Sequence, residues 1–194
     1  MLYAFDGRKP EIGRDVYISD QAVVIGDVKI GDGCYVGPGA ILRGDYGRIE
    51  IGAGTAVEEN VVIHAPPQRV CHVGKKVTLG HGAIIHSSSI GDLVVVGMGA
   101  VVSLGAKIGE RTIVAEGAVV KMNQKVSAGV VVAGNPAKVI RDVTPEDERR
   151  WKKGKQLYID LAKKYLKIGL QPISELNTGS KNSSRKAIVN PLKL

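Results

Sequence analysis

The histidines of this 194-residue chain, His64, His72, His81 and His86, all fall in one short stretch, VVIHAPPQRVCHVGKKVTLGHGAIIH, from Val61 to His86. Histidine is the commonest metal ligand, and its charge changes near neutral pH. Three neutral imidazoles with one open position form a known catalytic zinc arrangement. Such a concentration points to metal binding or proton transfer. Which of the four can meet depends on the elements that carry them.

Those elements follow a repeat. Aliphatic residues recur every six positions at Ile12, Ile18, Val24, Ile30, Val36 and Leu42, then at Ile51, Val57 and Ile63, then at Val73, Leu79 and Ile85. A further run extends from Ile90 through Val96, Val102, Ile108, Val114, Val120 and Val126 to Val132. A period of six suits neither a helix nor a strand meander. It predicts short strands joined by tight turns, three to a coil, or about 18 residues per rung of a parallel β-helix. The composition agrees: aromatic residues make up only 4% and there are 25 glycines, so the core must be built from small and β-branched aliphatics. The pattern resembles the hexapeptide repeat, whose members form left-handed triangular β-helices that usually trimerise. The resemblance spans roughly residues 10–140. It implies an all-β solenoid, a left-handed parallel β-helix over residues 1–141, and a homotrimer.

Residues 142–170 read as a C-terminal amphipathic helix. Thr144-Pro145-Glu146-Asp147 is a strong start, with an N-cap, a proline in the first turn and acids beside the positive end of the helix dipole. Trp151, Tyr158, Leu161, Ala162, Tyr165 and Ile168 recur on one face, with Lys and Arg assigned to the other. Gly154 weakens such a helix by about 1 kcal/mol relative to Ala. Residues 171–194 read as a polar basic tail. The formal charge of +8 is concentrated here: residues 145–194 carry 12 Lys+Arg against 5 Asp+Glu, whereas residues 1–144 carry 15 against 14. With no nucleic-acid motif or stacking aromatics beside it, this basic excess is a solvated face rather than a nucleic-acid surface. No stretch approaches the ~18 apolar residues of a membrane span, and the chain reads as soluble and cytoplasmic. Cys34 is expected in the solenoid wall and Cys71 in a loop, both as free thiols.

The repeat slips in phase three times: nine residues from Leu42 to Ile51, ten from Ile63 to Val73, five from Ile85 to Ile90. Slips mark loops or bulges on faces that bind, and these bracket the histidines. His64 follows Ile63 and His86 follows Ile85. They lie 22 residues apart, four of which belong to the slip, so one full coil separates them. Both are expected at the same corner of adjacent rungs, about 4.8 Å apart, close enough to share a metal. His81 is expected near the preceding corner, where in a three-fold assembly it can face the pair of a neighbouring subunit. His72 is expected in the inserted loop, out of phase.

The constellation resembles the γ-class carbonic anhydrases through LRGD (Leu42–Asp45), VEENVVIH (Val57–His64) and GHGAIIH (Gly80–His86). That resemblance implies His64, His81 and His86 as metal ligands at subunit interfaces, with Arg43 and Asp45 as a pair beside the site. Zn2+ is the default metal, with Fe2+ or Co2+ also suited to the ligands, and the reaction implied is hydration of carbon dioxide to bicarbonate. The family usually reads Asn-x-Gln-Asp-Asn where this chain has Ala56-Val57-Glu58-Glu59-Asn60. Glu58 therefore replaces an amide, either as a proton acceptor or as a group that blocks the metal. The acidic proton shuttle of the best-known members is replaced by Tyr46 and by Pro66-Pro67. Length, the GNPAKVIR ending and the basic helix look closest to the carnitine-operon and phenylacetate-degradation branch. That branch implies an acyl-coenzyme A substrate, with thioester hydrolysis or acyl transfer as the activity. A non-catalytic metal-binding scaffold is the third reading, carried by Glu58 and Ala56.

Overall fold

The computed structural model describes residues 1–170, so the tail expected at 171–194 lies outside the described residues. The chain winds into a parallel β-solenoid of about seven turns, followed by one helix, α1 (Pro145–Ile168). The fold class expected from the hexads is the one observed.

Each coil contributes one short strand to each of three faces, and the aliphatic hexad positions stack inward. On the first face Leu42, Ile63, Ile85, Val102 and Val120 are in register and fully buried. On the second, Ile30, Ile51, Val73, Ile90 and Ile108 are likewise in register and buried, and on the third Val36, Val57, Leu79, Val96 and Val114. Each such aliphatic removed from water contributes roughly 1.5–3 kcal/mol. The stacked columns thus hold the rungs in register without large aromatics.

What points outward differs from face to face, because neighbouring strand residues alternate sides. The first face carries an apolar ladder, Ile41, Val62, Ile84, Val101 and Val119, one residue per rung. The second carries a polar ladder that includes Glu50, His72, Ser89 and Lys107. The third, with Tyr17, Tyr35, Ala56, Thr78, Val95 and Ile113 outward, is the face under α1.

The first slip is a bulge inside an unbroken strand, Ile41–Ile51. It depends on close backbone contact. Gly26 has φ +75°, and a Cβ there would lie 2.5 Å from the Gly44 carbonyl oxygen, while one on Gly44 would lie 2.5 Å from that of Asp27. Only glycine fits at both positions, and the kink sets Arg43 and Asp45 on either side of Gly44. The second slip is the turn that precedes the strand Val70–Val73. His72 and Cys71 belong to that strand, not to a loop. The alternation of the sheet turns Cys71 into the core and His72 out toward Glu50, with Nδ1 3.5 Å from Oε2.

α1 begins as its sequence predicts. The Thr144 hydroxyl accepts from the Asp147 amide, and the Asp147 carboxylate accepts from the Thr144 amide. The helix runs back along the third face toward the first rungs. Tyr165 stacks on Tyr17 at 4.5 Å between ring centroids, and Tyr158 packs against Tyr35. The apolar stripe departs from expectation at one position. Lys155, assigned to the polar face, is 6% exposed and lies between Trp151 and Tyr158 on the buried side.

Candidate functional site

His64 and His86 end the strands Val62–His64 and Ile84–His86, which pair in parallel with the two histidines directly opposite. Their rings stack with centroids 5.2 Å apart and planes 12° apart. The inward neighbours Ile63 and Ile85 hold this arrangement, since both are fully buried in one column. Arg43 occupies the same register one rung earlier. Its guanidinium donates to Asp45 Oδ2 at 2.8 Å, and Asp45 Oδ1 lies 3.8 Å from His64 Nε2. Burial raises the Asp45 carboxyl, but the hydrogen bond and charge of Arg43 outweigh it and leave Asp45 below the ordinary carboxylate range. Burial, then the positive charge of Arg43, makes His64 harder to protonate than a free imidazole. His64 Nε2 is buried and has no hydrogen-bond partner among the described residues. A neutral imidazole with an orphaned buried nitrogen, stacked on a second imidazole, suits metal ligation.

His81 lies elsewhere. It sits in the turn after the strand Thr78–Leu79, on the helix-covered face, with a carboxylate at each ring nitrogen. Nε2 is 3.1 Å from Glu58 Oε2, and Nδ1 is 2.6 Å from Glu59 Oε2. The His81 amide also donates to Glu58 at 3.2 Å. Glu58 is 5% exposed, and burial raises its proton affinity against the opposing effect of His81. Glu59 in turn accepts from the Tyr35 hydroxyl at 2.7 Å. Tyr158 lies beside Glu58, and burial followed by the Glu58 charge raises its hydroxyl pKa.

One chain therefore brings His64, His86, Arg43 and Asp45 together, and separately His81, Glu58 and Glu59. Among the described residues no group of three His, Cys, Asp or Glu is placed to hold a metal. The apolar ladder of Ile41, Val62 and Ile84 lies beside the histidine pair, with Ile41 and Ile84 exposed. Both cysteines are buried, and burial pushes each thiol up to about 11, which leaves them as inert core residues.

The hexads did not reveal Lys155. Its ammonium donates to the Val94 carbonyl at 3.0 Å and to Thr78 Oγ1 at 3.3 Å, and burial lowers its pKa to about 7. The sequence did hold a signal: 151, 155, 158, 162 and 165 step by four and three, so a lysine occupies a place where the helix calls for an apolar residue.

Comparison with known proteins agrees with this architecture. Residues 9–44 match the family described as bacterial transferase hexapeptide (six repeats). The carnitine operon protein CaiE of Salmonella agona is 38% identical over 184 residues, 94% of this chain and 92% of that protein. A hexapeptide transferase family protein from Anaplasma phagocytophilum is 35% identical, with a TM-score of 0.81 over 84% of this chain and 97% of the other. The BC4754 gene product of Bacillus cereus, which carries an acetyltransferase designation, is 30% identical with a TM-score of 0.84, over 86% and 97%. With its stacked hexads, capped helix and near full-length similarity to CaiE, the chain belongs to the hexapeptide-repeat family, in the branch of the carnitine operon proteins.

Proposed function

We propose that the protein acts on coenzyme A thioesters, by hydrolysis or acyl transfer, in a homotrimer whose site joins His64 and His86 of one subunit to His81 of a neighbouring subunit. The similarity to CaiE along almost the whole chain carries this reading, and the transferase names of the related structures support it. The apolar ladder next to the histidine pair supports the assembly, since a contiguous exposed apolar strip suits an interface.

Zn2+, or Fe2+ or Co2+ with the same ligands, is the proposed metal. His64 and His86 fit it through the orphaned Nε2 and the stacked rings. Glu59 at Nδ1 of His81 matches the carboxylate that commonly orients a metal-binding imidazole, while Glu58 occupies the space at Nε2. A metal here supplies Lewis acidity and makes water easier to ionise. In hydrolysis a water oxygen attacks the thioester carbonyl carbon, the C–S bond breaks, and a carboxylic acid and a thiol result. Glu58 holds protons more tightly than an exposed carboxylate and takes the proton from the attacking water. The proton then passes to the departing thiolate. Arg43 fixes Asp45, which places a negative charge 3.8 Å from His64 Nε2.

Carbon dioxide hydration is the second reading, favoured by the neutral, unpartnered imidazole of His64 beside His86. A panel of acyl-coenzyme A thioesters assayed beside stopped-flow carbon dioxide hydration tests both. Thioester turnover that falls on removal of metal supports the main reading. Hydration alone supports the second, and metal binding without either activity favours a non-catalytic scaffold.

A further inference from the structure

α1 does not close evenly on the third face. It packs against the strands Tyr17–Ile18, Tyr35–Val36 and Ala56–Val57, where two tyrosines and the small Ala56 receive it. Further along, the outward residues become Val95 and Ile113, and the N-terminal half of the helix stands off. A cavity of about 400 Å³ remains between them. It is separate from the histidine pair on the first face. Its walls are of two kinds. Val95, Ile113, Leu93 and the Trp151 indole provide an apolar floor and side. Lys76, Lys152 and Lys155 provide ammonium groups, none of which has a carboxylate within salt-bridge distance among the described residues.

We propose that this cavity binds a small amphipathic carboxylate, with its aliphatic body against Val95, Ile113 and Trp151 and its head group against the lysines. Charge complementarity selects this occupant. The cavity also has acidic residues, but Asp147 is held by Arg141 and by the helix cap, which leaves Glu148 as the one opposing carboxylate without a strong partner among the described residues. Arg111 on the rim is bridged to Glu110 at 3.1 Å. A neutral apolar ligand would leave these lysines without a counter-charge, whereas an anion forms charge-assisted hydrogen bonds with them. Lys155 adds selectivity for the protonation state. With Glu58 as the acid on the solenoid side and Lys76, Lys152 and Glu148 around the cavity, burial brings its pKa to about 7. An incoming carboxylate favours the ammonium form, so binding draws in a proton above that pH.

Trp151 is the only tryptophan in the chain, so its fluorescence reports on the cavity directly. Octanoate titrated into the full-length protein should give a saturable change, with octanol at least about tenfold weaker because it lacks the charge. Lys155→Met should weaken octanoate by roughly tenfold or more, and Val95→Phe, which fills the space and spares the lysines, should abolish the response. Octanoate affinity should fall as pH rises from about 6 to about 8. No saturable response to octanoate, equal affinity for octanol, or unchanged binding in Val95→Phe would each overturn the proposal. If Lys155→Met does not fold, Val95→Phe decides alone.

Discussion

His81 Nε2 and Glu58 Oε2 face each other at 3.1 Å within one chain. The imidazole proposed for a neighbour's metal is thus already engaged by a buried carboxylate, and the two uses compete for one nitrogen. The replacement at position 58, which looks from the sequence like a change beside the metal, is a change in what the third histidine touches.

Glu58→Gln keeps the size of the side chain and removes its proton-accepting charge. Thioester hydrolysis is expected to fall by about 100-fold or more, the range for loss of a positioned acid–base group. Metal content should not fall, since the carboxylate that competes for His81 is gone. Steady-state kinetics with metal analysis on the same samples checks both, and unchanged hydrolysis contradicts the role given to Glu58.

Lys155 makes stability depend on pH in a definite direction. Its pKa is about 7 in the folded chain against 10.5 when exposed, because burial opposes the charge. Between those values the unfolded chain binds the extra proton, so this group raises stability as pH increases from about 7 toward 10.5. That gain is lost again as pH falls from 10.5 to about 7, and below the folded value both states are protonated and the dependence levels off. Lys155→Met removes a buried charge, and the Val94 carbonyl keeps the Thr78 amide at 3.0 Å as its donor. The variant should melt above the wild type at pH 7, with the gap narrowing toward pH 9, as followed by circular dichroism.

Gly154 lies in the interior of α1, where glycine costs about 1 kcal/mol relative to alanine. An added Cβ would stand 3.6 Å from Trp151 Cε3, ordinary van der Waals contact. Gly154→Ala should therefore stabilise the protein by about 0.5–1 kcal/mol, measured by chemical denaturation. Destabilisation would mean that the helix needs the missing side chain.

The solenoid was legible because its period is a direct consequence of stacking: each inward position sees only its equivalents one rung away. The same arithmetic placed His64 and His86 opposite each other, since a slip of four residues leaves one whole coil between them. The phase count placed Cys71 and His72 in a loop, whereas they sit in a strand, because the inserted residues are spent in the turn before Val70 and the hexad resumes early. Side-chain partners were not legible. That Lys155 reaches Thr78 and Val94 depends on where α1 docks, which brings together residues 77 positions apart, and that Glu58 and Glu59 clasp His81 depends on side-chain conformations on two paired rungs, where Val57 lies opposite Leu79. The polar ladder that receives His72 follows from strand alternation once the strand itself is known.

The central claim, that two subunits complete one site, is tested most directly by mixing inactive variants. His64→Ala and His81→Ala should each lack thioester hydrolysis. Dissociated, mixed in equal amounts and reassembled, they should recover about a quarter of wild-type activity, since one interface in four joins an intact His64 to an intact His81 in a ring of three. A mixture as inactive as its parents, or a His81→Ala protein with full activity, would contradict the shared site.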